Sequence, residues 1–233
     1  MFIKNTDLKK HLAGCTDEQL QDIDFVEDMI KNVIGVNLNM KNLKITGADF
    51  KLGGMKMKQY PNEFAQYMCW LYKLMKKKNL KNYLCIGPEN GGEFFTVDSL
   101  FRRINPNFTE SICIDIKPSI TFNNFEMYKQ QNNVKFIHAN SHNLTWDHIP
   151  MEFADFCFID GDHSYEGVKQ DFEMVKDHCK YVAFHDTKLE LGRIEVYKFW
   201  NEIKEMYPNN HWEFNNTKEG FPVPVGIGVV KLR

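Results

Sequence analysis

Residues 154–171, ADFCFIDGDHSYEGVKQD, concentrate groups that can do chemistry. Asp160 and Asp162 supply two carboxylates and His163 an imidazole within four positions, and Gly161 lets the backbone turn between them. Paired carboxylates can hold a cation or orient a ligand. An imidazole ionises near neutral pH and can take a proton from a hydroxyl. A second such pair, His185-Asp186, heads the triplet HDT further along. Each group has a plainer alternative. Asp and Gly are ordinary turn residues that cap a following helix, and a His-Asp pair can simply be a buried hydrogen bond fixing a strand end.

The elements that must position these groups follow from the hydrophobic pattern. Phe156-Cys157-Phe158-Ile159 is a bulky apolar run, as in a strand covered on both faces of a parallel sheet, and it stops at Asp160. Four other segments end in the same way. Tyr83–Ile86 runs into Gly87-Pro88-Glu89-Asn90-Gly91-Gly92, and Ile112–Ile114 ends at Asp115. Val134–Ala139 ends at Asn140-Ser141, and Tyr181–Phe184 at His185-Asp186-Thr187. Helices are expected between them: one after Gly92, one over 164–179 with Val168, Phe172 and Val175 inward, and one over 192–207 with Ile194, Tyr197, Trp200 and Ile203 on one face. Trp212–Phe214 and Val225–Val230 read as a closing antiparallel pair. The alternation predicts an α/β fold, a mostly parallel sheet with helices on both faces. Parallel strands would carry all five polar ends to one edge, where ligands of open α/β sheets bind.

The glycine turn leaves amide N–H groups at a helix start and lets a ligand approach the backbone. Asp115, at the next strand end, can accept both hydroxyls of a ribose. Together they point to an adenosine-type ligand. The spacing is not GxGxxG, which speaks against a dinucleotide.

Upstream, Thr16-Asp17-Glu18-Gln19 reads as a capping box opening a helix to Gly35. Another helix starts at Pro61 and buries Phe64, Tyr67, Met68, Leu71 and Met75. Residues 36–60 show no period and hold Gly47, Gly53, Gly54 and lysines 44, 51, 56 and 58. Residues 1–60 are therefore expected to form a helical cover or lid, and 61–233 the catalytic domain, with 36–60 and 208–224 shaping the pocket. The net charge of −2 over 233 residues gives no reason to expect a nucleic-acid partner. Six cysteines without a CxxC pair fit a reducing compartment with neither a disulfide framework nor structural zinc. No apolar run suits a signal peptide or a membrane span, so a cytoplasmic protein with no membrane partner is expected. Oligomeric state is not legible.

CIGPENGGEFF, ICIDIKP, FIDGDHSYEGVKQD and VAFHDT together resemble the successive motifs of class I S-adenosylmethionine-dependent methyltransferases. The likeness covers about residues 60–233. It is strongest to small-molecule O-methyltransferases of the macrolide sugar, cephalosporin-pathway and catechol type. It implies a Rossmann-like fold and S-adenosylmethionine as cofactor, with a small-molecule or sugar hydroxyl as acceptor. Gly87, Gly91 and Gly92 would then cradle the methionine part, Asp115 would hold the ribose, and Asn140 and Ser141 would flank the adenine. Asp160, His185 and Asp186 would fall where related enzymes ligate Mg²⁺, and His163 where they carry the general base. Two positions depart from the family pattern. Cys85 stands where an acidic residue is usual, leaving Glu89 or Glu93 to substitute. His185 replaces a position that is often acidic, which shifts metal preference from Mg²⁺ toward Mn²⁺, Fe²⁺ or Zn²⁺, or makes His185 a second base or a partner of Asp160. Two other readings stay open: a metal-dependent glycosyltransferase using Asp160-Gly161-Asp162 as its D-x-D motif, and a catalytically decayed methyltransferase fold serving as a binding module.

Overall fold

The structure, a computed structural model, describes residues 2–36, 55, 57–117, 125–215 and 225–233. The expected roles of 37–54, 56 and 216–224 in a lid or pocket wall lie outside the described residues. A seven-stranded sheet runs in the order β3-β2-β1-β4-β5-β7-β6. Its strands are β1 (Asn82–Ile86), β2 (Glu110–Asp115), β3 (Val134–His138), β4 (Ala154–Ile159), β5 (Cys179–His185), β6 (His211–Phe214) and β7 (Ile227–Lys231). The first five are parallel. β7 pairs antiparallel with both β5 and β6, as the two closing runs predict.

Strand residues alternate between two buried clusters, as the two-residue period of a pleated strand requires. Tyr83, Cys85, Cys113, Phe156, Phe158 and Tyr181 face one side. Leu84, Ile86, Ile112, Cys157, Ile159 and Val182 face the other. The first side is covered by α1 (Asn5–Gly14), α2 (Ile23–Met29), α3 (Pro61–Lys77) and α4 (Gly92–Ile104). The second is covered by α5 (Tyr165–Val175) and α6 (Val196–Met206). Leu8, Leu12, Val26 and Ile30 of the N-terminal helices share a cluster with Phe64, Phe94 and Phe156, so this region shares the core of the sheet.

Some expectations move. α1 has no counterpart in the sequence reading. The helix expected over 16–35 is broken in two. The capping box forms, with Thr16 N–H donating to Gln19 Oε1 (2.9 Å) and Gln19 N–H to Thr16 Oγ1 (3.2 Å), but it heads only a 3-10 turn at Gln19–Gln21. Asp22 then caps α2 by accepting from the N–H groups of Asp24 and Phe25, and α2 closes in a π turn at Ile30–Ile34. Asp22 bonds its own backbone locally, which interrupts one helix and starts the next. α6 begins at Val196 and buries Val196, Phe199, Trp200 and Ile203, leaving Ile194 ahead of the helix and Tyr197 only half-buried. All six cysteines are buried and unpaired. Among the described residues no helix is long and apolar enough to cross a membrane.

Candidate active site

A cavity of about 870 Å³ opens at the carboxyl edge of the sheet. Gly87, Asp115, Asn140 and Ser141 border it on the β1–β3 side. Asp160, His163, His185 and Asp186 border it on the β4–β5 side. Gly91 and Gly92 do not line it.

Glycine is needed in the first turn because of the chain itself. Gly87 has φ +78°, and a Cβ there would run into the backbone carbonyl of Asp160, so its absence lets the β1 turn pass the end of β4. A Cβ on Gly92 would lie 2.9 Å from the backbone of Met57, so the start of α4 receives the segment that leads into α3. Asp115 is fixed at the cavity wall by two backbone donors: Glu89 N–H to Oδ2 (3.0 Å) and Lys117 N–H to Oδ1 (2.8 Å). Each oxygen keeps a further lone pair for a ligand hydroxyl. Asn140, which is exposed, caps the 3-10 turn Ser141–Asn143 with its side chain, accepting from His142 N–H (3.0 Å).

Beneath the turn, Glu93 brings a carboxylate to Cys85. The Cys85 thiol donates to Glu93 Oε2 (3.5 Å), and the Tyr83 hydroxyl lies 2.7 and 2.9 Å from the two oxygens. Burial pushes this carboxyl up to about 8, against the opposing pull of its two donors.

The β4–β5 side is built differently. Asp186 sits at φ +60°, a left-handed conformation that non-glycine residues adopt at a cost of about 1–3 kcal/mol. In that posture its Oδ2 meets His163 Nδ1 at 2.5 Å and its Oδ1 lies 3.4 Å from His185 Nδ1. An ionised carboxylate only accepts, so His163 Nδ1 donates to Asp186, while His185 Nδ1 faces Asp186 as an ion pair only. The hydrogen bond of His185 Nδ1 goes to Asp160 Oδ1 (3.2 Å), and the Gln59 amide donates to Asp160 Oδ2 (2.9 Å). Behind His185, Nε2 lies 3.6 Å from Glu63 Oε1, and Glu63 is itself held by Tyr60 N–H and Gly226 N–H. The hydrogen bond to Asp186 holds the His163 imidazole above its usual range. Burial pushes His185 down, but Asp160 and Asp186 outweigh it and hold that imidazole well above the usual range. Burial pushes Asp186 up, but the two imidazoles outweigh it and the carboxyl ends below the usual range.

The loop thus divides its labour. Asp162 Oδ1 accepts Ser164 N–H (2.9 Å), and Ser164 Oγ accepts Gly167 N–H (3.1 Å), which is the helix-capping turn. Asp160 and His163 instead turn toward β5. Among the described residues, the ligating atoms of Asp160, His163 and Asp186 come within 4.8 Å of one another, while His185 lies between the two carboxylates as a donor. Sequence reading missed Gln59 and Glu63. Glu63 looks like an ordinary first-turn carboxylate and Gln59 sits in a stretch without period; only the fold carries them to β4 and β5.

A family model described as a methyltransferase domain matches residues 67–187, over half of the chain. No curated protein matches the sequence. Among solved structures, an O-methyltransferase from Bacillus cereus in complex with SAH is 14% identical, covers 97% of this chain and 97% of its own, and superposes with a TM-score of 0.50. The human methyltransferase 10 domain containing protein is 13% identical, covers 91% of this chain and 97% of its own, and has a TM-score of 0.52. At such identities these two speak for the fold. With the matched segment running from α3 through all five parallel strands to Thr187, the chain belongs to the methyltransferase-domain family within the class I S-adenosylmethionine-dependent superfamily.

Proposed function

We propose that this chain transfers a methyl group to a hydroxyl of a small molecule, with His163 as the general base. The observation that carries the reading is the His163–Asp186 dyad at the cavity edge. Asp186 accepts from Nδ1, which fixes the ring and leaves Nε2 as the nitrogen able to take a proton. S-adenosylmethionine, when bound, supplies a methyl group on a sulfonium that an oxygen can displace. Asp115 fits its ribose hydroxyls, and Ser141 borders the adjoining wall. In an in-line displacement much of the catalysis is positioning. The acceptor oxygen forms the new C–O bond, the C–S bond breaks, and the hydroxyl proton passes to His163 Nε2. No step is routed through a divalent cation, because the oxygens of Asp160 and Asp186 face N–H groups of the chain itself. The D-x-D reading is disfavoured, since Asp162 commits an oxygen to capping α5 while Asp160 turns toward β5.

His163→Ala is expected to lower kcat by about 10²–10⁴. S-adenosylhomocysteine binding, followed by calorimetry, should stay within a few-fold. Unchanged turnover would remove His163 from the base role. A thermal-shift panel tests the cofactor directly. Ligand at about 100 times its Kd stabilises by about 2.7 kcal/mol. A shift with UDP-sugars and none with the adenosyl compounds would sink the reading in favour of the D-x-D one.

A further inference from the structure

We propose that His185, and not a divalent cation, joins Asp160 to Asp186, so that this chain transfers its methyl group with no metal at that site. The proposal rests on the methyltransferase reading above. A cation bridging two carboxylates needs lone pairs from both directed at one point. Here the two Oδ1 atoms converge on His185 Nδ1, at 3.2 Å from Asp160 and 3.4 Å from Asp186. The outer oxygens also accept from this chain, Asp160 Oδ2 from the Gln59 amide and Asp186 Oδ2 from His163 Nδ1. Three of the four oxygens of the pair accept a hydrogen bond from this chain, and the fourth, Asp186 Oδ1, faces His185 Nδ1 as an ion pair.

The bridging ring is enclosed. His185 is buried, and Glu63 Oε1 lies 3.6 Å behind its Nε2. Tyr60 N–H and Gly226 N–H fix the two Glu63 oxygens, at 3.2 and 2.9 Å. Swinging the imidazole aside to admit an ion would part it from both Asp160 and Glu63. Hard cations such as Mg²⁺ want six oxygen ligands, and an imidazole between the carboxylates supplies none. A softer ion could use Asp160, His163 and Asp186, whose donor atoms lie within 4.8 Å of one another. It would occupy a nitrogen of His163 and oxygens of Asp160 and Asp186, the same groups that form the base dyad and the His185 bridge. Gln59 and Glu63 both come from the stretch entering α3, so the N-terminal part of the chain completes this arrangement.

The test is a calorimetric Mn²⁺ titration of the chelator-stripped protein, wild type beside His185→Asp, with S-adenosylhomocysteine titrated into the same samples. The expected result is no saturable Mn²⁺ site in the wild type, turnover in EDTA within about twofold of untreated enzyme, and a Mn²⁺ affinity at least about tenfold higher in the Asp variant, which restores an oxygen ligand. Stoichiometric micromolar Mn²⁺ binding by the wild type, or turnover lost in EDTA and restored by Mn²⁺, would overturn the proposal. If His185→Asp does not fold, the wild-type titration and EDTA arm decide alone. Tight Mn²⁺ binding alongside normal S-adenosylhomocysteine binding overturns the metal-free claim only. Failure of S-adenosylhomocysteine to bind overturns the methyltransferase reading and takes this claim down with it.

Discussion

Glu93, after β1, and Asp186, after β5, are carboxylates each 4% exposed, and they end in opposite protonation states. Burial is the largest influence on both and raises both. Glu93 meets a phenol and a thiol, which hydrogen-bond it without bringing charge, and it keeps its proton up to about 8. Asp186 meets two imidazoles, and their pull carries it below its usual range. Equal burial therefore does not set a carboxylate's state; the charge of what is buried beside it does. Beneath the β1 turn the chain buries a neutral acid, and at the cavity edge it holds an ionised carboxylate that can orient a base.

The largest expected effect tests the ionised end. Asp186→Asn keeps the shape and tolerates a positive φ, but replaces a charged acceptor with a neutral one. Turnover should fall about 10²–10⁴-fold, as when a positioned base loses its function, with S-adenosylhomocysteine affinity nearly unchanged. A merely structural role would lower stability without moving the acidic limb of the pH–rate profile. Here that limb should shift to lower pH, because the charge holding the His163 imidazole up is gone. A variant with normal turnover and an unmoved profile would erase the contrast between the two ends.

The next effect probes the joint between them. Gly87 is the point where the β1 turn touches the β4 end, and at φ +78° its Cβ would meet the Asp160 carbonyl. Gly87→Ala combines a left-handed backbone cost with a main-chain clash and should destabilise by about 2–4 kcal/mol in urea denaturation. Gly14→Ala, with nothing within 4 Å of its added Cβ, serves as the control and should change stability little. Equal effects at both positions would mean the two ends are not in rigid contact.

The halves of the site also differ in how much of them could be read. Five strand ends on one edge follow from apolar runs that stop at polar residues, and the sheet places them there. The capping box at Thr16 is legible and forms. α1 is not legible, because only Leu8 and Leu12 of its apolar residues are buried and two positions make no period. The partners that decide protonation are the least legible. Gln59 reaches Asp160 across 101 positions, and Gly226 N–H reaches Glu63 across 163. Spacing in the sequence says nothing about such pairs. Tyr83, Cys85 and Glu93 lie within one turn and its flanks, yet their spacing does not say that Glu93 points down to Cys85.

A third effect concerns the buried neutral acid, and its sign is fixed by linkage. The Glu93 carboxyl is raised from 4.5 to about 8 in the folded chain. Between those values the unfolded chain has released this proton and the folded chain still holds it, so stability falls as pH rises through the window. One proton contributes at most about 1.4 kcal/mol per pH unit. Glu93→Gln keeps an acceptor for Tyr83 and has no proton to lose. Other groups titrate in the same range, Asp171 at about 6 among them. They are common to both proteins and cancel in the difference. Urea midpoints measured from pH 5 to 8 should therefore show the Gln variant gaining steadily on the wild type as pH rises. A constant difference would mean that Glu93 is ionised throughout, and the two buried carboxylates would then be charged alike.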